Sequence, residues 1–118
     1  VAAAGSLLGT AAVIVYGDTV DLVEVALCWG RFYSHEACGQ CTPCREGTHW
    51  LERVFTRIKE GGGTEGDLKM IADMQTQMAG TTICVLSDAA VAFPASLLKL
   101  FPEELDRYIN RVKEVRPA

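Results

Sequence analysis

The run Cys38-Gly39-Gln40-Cys41-Thr42-Pro43-Cys44 constrains this chain more than any other stretch. Thiols at i, i+3 and i+6, separated by glycine and proline, make a loop that can turn several sulfurs toward one centre, as C-x2-C-x2-C runs do around iron–sulfur clusters. Such a centre takes a fourth ligand. Cys84, in the segment Gly80-Thr81-Thr82-Ile83-Cys84, is the candidate. Structural zinc is the competing reading, but zinc sites draw on two separated ligand pairs and no second pair surrounds Cys84. Three close thiols with one remote thiol suit a four-iron cube, one cysteine per iron. A redox C-x-x-C made of Cys41 and Cys44 lacks its βαβ context. Cys28 reads as an ordinary thiol, His35 as a solvated linker residue, and His49 as a helical histidine with no convergent ligand partner.

The rest of the composition narrows what such a site can serve. With 118 residues the chain is one small domain, and 49% hydrophobic against 22% charged residues is a globular balance. A formal net charge of −4 argues against a nucleic-acid partner, which requires a basic surface. The opening Val1-Ala2-Ala3-Ala4-Gly5-Ser6-Leu7-Leu8 reads as cut from something longer. It lacks the basic start of a signal peptide, and the apolar stretch to Tyr16 is too short and broken for a bilayer span, so no direct membrane insertion is expected. Five cysteines, four of them in a metal-like pattern, point to a reducing compartment, the cytosol. No Ser/His/Asp set or carboxylate pair stands out, and the glycine run from Gly61 has no phosphate-binding context, since no strand precedes it and no Lys-Ser/Thr follows, which leaves electron conduction rather than bond-making chemistry.

Taken in order, Ala11 to Tyr16 is a β-branched run that predicts a strand, closed by Gly17-Asp18. A helix is expected from Asp18 or Thr19 to about Tyr33, with Asp21, Glu24, Cys28 and Arg31 on one polar stripe. Thr42 as N-cap and Pro43 at the first position start a second helix to about Glu60, with Cys44 in its first turn and Leu51, Val54, Phe55 and Ile58 on the core face. Thr64 with Asp67 caps a third helix, Glu65 to Ala79, that buries Leu68, Ile71, Met74 and Met78. Ser87 and Asp88 suit the start of a short helix ending near Pro94, followed by a helical piece from Ala95 to Phe101. Pro102 opens a last helix with Leu105, Tyr108, Ile109 and Val112 on one side, a Glu103–Arg107 pair outside and Arg116-Pro117-Ala118 as a tail. The fold class expected is mainly α: a bundle of four or five helices over residues 18–118, behind an N-terminal strand left over from an upstream β-rich domain, residues 1–17.

Several of these residues together resemble a known family. Arg31-Phe32-Tyr33, then Glu36-Ala37-Cys38-Gly39-Gln40-Cys41-Thr42-Pro43-Cys44-Arg45-Glu46-Gly47, then Thr82-Ile83-Cys84 with Asp88-Ala89-Ala90 and Pro94, are similar to the NADH-binding flavoprotein subunit of respiratory complex I and its relatives in NAD-reducing hydrogenases and formate dehydrogenases. The resemblance implies that Cys38, Cys41, Cys44 and Cys84 ligate a [4Fe–4S] cluster fed one electron at a time by a flavin that NADH reduces. It places the FMN and NAD sites in an N-terminal domain that these residues do not include. It further implies other subunits of a multi-subunit NADH dehydrogenase as partners, and a cytoplasmic position peripheral to the inner face of the cell membrane.

Overall fold

The computed structural model describes the backbone of residues 1–115 and the side chains of residues 1–109. Five helices account for nearly all regular structure among the described residues: α1 Leu22–Glu36, α2 Thr42–Lys59, α3 Glu65–Met78, α4 Leu86–Leu100 and α5 Pro102–Val115, preceded by one 3₁₀ turn at Ala2–Ala4. The expected strand at Ala11 to Tyr16 does not form. Val13, Ile14 and Val15 stand in solvent, since β propensity alone cannot hold a strand that has no neighbour to pair with. Val112 and Arg116 to Ala118, which the sequence places on a core face and in a tail, lie outside the residues whose side chains are described.

Each helix starts where local chemistry allows. α1 begins later than expected because Asp21 is its N-cap, its carboxylate accepting from the Val23 and Glu24 N–H groups at 2.9 and 3.2 Å. α3 opens as expected, with the Asp67 carboxylate reaching back to the Thr64 N–H at 2.8 Å. The pair on the exposed side of α5 is Glu104–Arg107 at i,i+3, and not Glu103–Arg107. α1 packs along α2, α3 packs against α4, and α2 joins the two pairs. Their shared core is Val23, Leu27, Leu51, Phe55, Ile58, Ile71, Met74, Met78, Val91, Leu97 and Leu105.

The two helical pieces expected around Pro94 are one helix. Proline in a helix interior has no N–H for the carbonyl four residues back, which here is that of the buried Ala90. The indole N–H of Trp29, on α1, donates to that carbonyl at 3.1 Å, and the ring lies beside Tyr33 and Phe93 at centroid distances of 5.2 and 5.6 Å. A tertiary donor replaces the missing helical one, so α4 runs through its proline.

At one end of the bundle Lys59 ties three elements together. Its ammonium group donates to Asp21 and Glu24 of the α1 start and to the Tyr108 hydroxyl of α5, and Tyr108 in turn donates to Asp21. Burial alone would raise the Asp21 pKa, but the bonds from Lys59, Tyr108 and the two backbone N–H groups outweigh it and bring the value down to about 2. A second pair, Arg57 with the buried Asp67, fixes α2 to the start of α3.

Candidate metal centre

The opposite end of α2 carries the cysteines. Cys41, and not Thr42, is the N-cap of α2, and Pro43 takes an early helical position where its missing N–H leaves nothing unpaired. Cys44 therefore falls in the first turn and is buried, Cys41 is half-buried, and Cys38 and Cys84 are exposed. Between Cys38 and Cys41 the chain turns through Gly39 at φ 83°, a left-handed conformation that glycine adopts without strain. Arg45 holds this turn from the helix side, donating to the Gly39 carbonyl at 3.0 Å and to Glu46 at 2.9 Å. The contact with Gly39 was not foreseen from the residues. Its one signal is the spacing of six residues, which returns the chain to the first turn of α2.

Cys84 arrives from the short connection between α3 and α4. The Ile83 N–H lies 3.5 Å from the Cys41 sulfur, so the segment carrying the remote cysteine rests against the three-cysteine loop. All four thiols share one neighbourhood. Burial raises the Cys44 pKa first, and the charges of Cys84, Cys41 and Cys38 raise it further. Among the described residues no group of three or more His, Cys, Asp or Glu side chains is placed to hold a metal ion.

The helix end adds to this electrostatics. α1, α3, α4 and α5 each have acidic residues in the first turn, but α2 has none and no side-chain cap either. The positive end of its dipole is left to the sulfurs that surround it. Thr48, one turn further on, is fully buried and returns its hydroxyl to the Cys44 carbonyl at 2.9 Å. The remaining candidates lie elsewhere. Cys28 is exposed on α1, His35 pairs with Glu36 in solvent, and His49 shares a 2.6 Å hydrogen bond with Ser34 across the α1–α2 contact.

A helical bundle that gathers a three-cysteine loop and one remote cysteine at a helix end is a domain of the iron–sulfur type. Residues 24–108 match the family described as the NADH-ubiquinone oxidoreductase-F iron-sulfur binding region, and the chain belongs to that family. It is 44% identical over 106 residues to an F-type NADH-quinone oxidoreductase subunit of Rhizobium meliloti, covering 90% of this chain and 24% of that protein. It is 40% identical over 104 residues to the F-type NADH-quinone oxidoreductase subunit of Mycobacterium tuberculosis, covering 88% and 23%. The mitochondrial 51 kDa subunit of Neurospora crassa NADH-ubiquinone oxidoreductase is also 40% identical over 104 residues, with 88% and 21% covered. The chain thus spans about a quarter of the length of these relatives. Among solved structures, an NAD+-reducing [NiFe]-hydrogenase in the H2-reduced state superposes with a TM-score of 0.76 at 30% identity, over 80% of this chain and 16% of that one.

Proposed function

We propose that this chain is an electron-relay domain that holds a [4Fe–4S] cluster on Cys38, Cys41, Cys44 and Cys84. The observation that carries the reading is the contact of the Ile83 N–H with the Cys41 sulfur, which puts the remote cysteine's segment beside the loop of three. When bound, a four-iron cluster supplies one-electron redox chemistry between partners too far apart for direct contact. This chain's residues do the rest. Four thiolates bind, the uncapped start of α2 and the Ile83 N–H offset their negative charge, and Arg45 keeps the Gly39 turn in place. Burial of Cys44 under the bundle excludes water from the inner side of the site.

In this reading the domain works within an NADH dehydrogenase of the complex I type, receiving electrons from FMN that NADH has reduced and passing them along an iron–sulfur chain toward quinone. The names and identities of the NADH-quinone oxidoreductase relatives support it. Residues 18–118 form the cluster domain, and residues 1–17, exposed throughout, belong with an upstream domain. The flavin and nicotinamide sites fall to the other three quarters of a full-length protein. The partners are the other subunits of the complex, and the position is cytoplasmic and peripheral to the membrane. No helix among the described residues is long and apolar enough to cross a bilayer. The likeness to an NAD+-reducing hydrogenase supports a second setting for the same relay, at lower identity.

The test is iron and acid-labile sulfide per chain after anaerobic reconstitution, with electron paramagnetic resonance after reduction, on the wild type and on Cys84→Ala. About four of each per chain, lost or degraded in the variant, is the expected result. Zinc alone, or a cluster indifferent to Cys84, refutes the reading or its fourth ligand.

A further inference from the structure

Three residues beyond Cys44, on the same face of α2, sits the buried Gly47. Against it lies the side chain of Met78, the last residue of α3, only 2% exposed. A Cβ placed on Gly47 would stand 2.9 Å from both the Cγ and the Cε of Met78, and closer still to its sulfur. The far end of a methionine can swing aside in open space, but this one is enclosed by the core, and Cγ is too near the backbone for distal rotations to move it. The fit at Gly47 therefore governs how near the end of α3 comes to the first turns of α2.

Met78 is also the point from which the Cys84 segment hangs. Its carbonyl accepts from the Thr81 hydroxyl at 2.9 Å and from the fully buried Ser87 hydroxyl at 3.1 Å. The Gly80 N–H donates to Asp88 at 2.9 Å. Both stems of the segment that carries Cys84 are thus fastened at or beside Met78, so a displacement of Met78 moves the whole segment relative to the three-cysteine loop.

Resting on the cluster reading above, we infer that Gly47 is a positioning residue for Cys84: its missing side chain seats Met78, and Met78 sets the remote cysteine against Cys41 and Cys44. A side chain at position 47 moves Cys84 without touching any thiol.

The test uses the metal-free protein in a Cys28→Ser background with diamide, which takes two electrons and two protons from a pair of thiols as their disulfide forms. Peptide mapping follows two bonds, Cys41–Cys84 as the readout and Cys41–Cys44 as an internal reference within the loop. Gly47→Ala is expected to slow the Cys41–Cys84 bond by about tenfold, in line with the usual consequence of overpacking, and to leave the reference bond unchanged. Adding Met78→Ala, which reopens the space, should return the rate to within about twofold of the parent. An unchanged Cys41–Cys84 rate in Gly47→Ala, equal slowing of both bonds, or a double variant as slow as the single one overturns the inference. Should Gly47→Ala fail to fold, Met78→Leu, which puts a branched side chain against Gly47, carries the same test, with slowing of the Cys41–Cys84 bond alone in favour and an unchanged rate against. Because no metal is involved, the outcome is independent of iron content. A wild type that takes up no cluster defeats the functional reading, whereas the cross-linking pattern alone decides the positioning role.

Discussion

Trp29→Phe removes one proton donor from this protein and keeps an aromatic ring beside Tyr33 and Phe93. The bond it deletes, indole N–H to the Ala90 carbonyl at 3.1 Å, is the one that compensates for Pro94. Ala90 is fully buried, so its carbonyl is left with no donor and no water. An orphaned buried acceptor costs about 1–3 kcal/mol. The smaller ring forfeits roughly another 1 kcal/mol of half-buried apolar surface, so the variant should lose about 2–4 kcal/mol. The diagnostic is a double-mutant cycle with Pro94→Ala. Alanine at 94 supplies a helical N–H to the same carbonyl, and in that background Trp29→Phe should cost only its packing share of about 1 kcal/mol. A coupling of about 1–3 kcal/mol between positions on different helices is the expected signature, and it is free of the changes in proline strain and volume that each single variant brings. Urea unfolding followed by far-ultraviolet circular dichroism, with all four proteins compared at a common slope, measures it. Additivity within about 0.3 kcal/mol would mean that the indole N–H does not stand in for the missing backbone donor, and the account of the unbroken α4 would fall.

Acid should weaken the end of the bundle held by Lys59. The folded-state pKa of Asp21 is about 2, below its ordinary 3.8, so its contribution is complete above about pH 5 and is lost as pH falls through 4 toward 2. With the side chain one-third exposed, screening reduces that contribution to about 1 kcal/mol, and Asp21→Asn should flatten the stability profile by that amount across this window. Asp21→Ala also deletes the α1 cap and should cost about 1 kcal/mol more than Asp21→Asn at pH 7; equal costs would show the cap to be idle. Phe55→Ala, at a core side chain of α2 with no exposed surface, should cost about 3–5 kcal/mol in the same unfolding assay, and a loss below about 1 kcal/mol would contradict the packing described.

What could be read from sequence was what neighbouring residues decide among themselves. The cysteine spacing, Pro43 at a helix start and the Thr64–Asp67 reach each act within a few residues, and the positions of α2 and α3 follow from them. Misreadings fell where a distant partner overrules local preference. Val13-Ile14-Val15 has strand chemistry and no strand beside it. Pro94 has the chemistry of a helix stop, which Trp29, 65 positions earlier, cancels. Ser87 has the chemistry of an N-cap, yet its hydroxyl goes to the end of α3 and Val85 takes the cap position without a side-chain bond. The candidate centre follows the same division: three of its thiols are one local loop, while the approach of the fourth is governed by how α3 seats against α2.

The graded burial of the thiols sets an order of chemical attack. Among the four thiols of the site, in the metal-free protein, an alkylating reagent meets Cys38 and Cys84 first, as it does the exposed Cys28 on α1, then the half-buried Cys41, and last Cys44, which is covered and whose pKa burial raises. The earliest injuries therefore strike the first cysteine of the loop and the remote cysteine, where two separate segments of chain meet, while the start of α2 stays whole. Ageing of the site is a parting of its two halves along a seam, and a protein that has lost its outer thiols still has its helices.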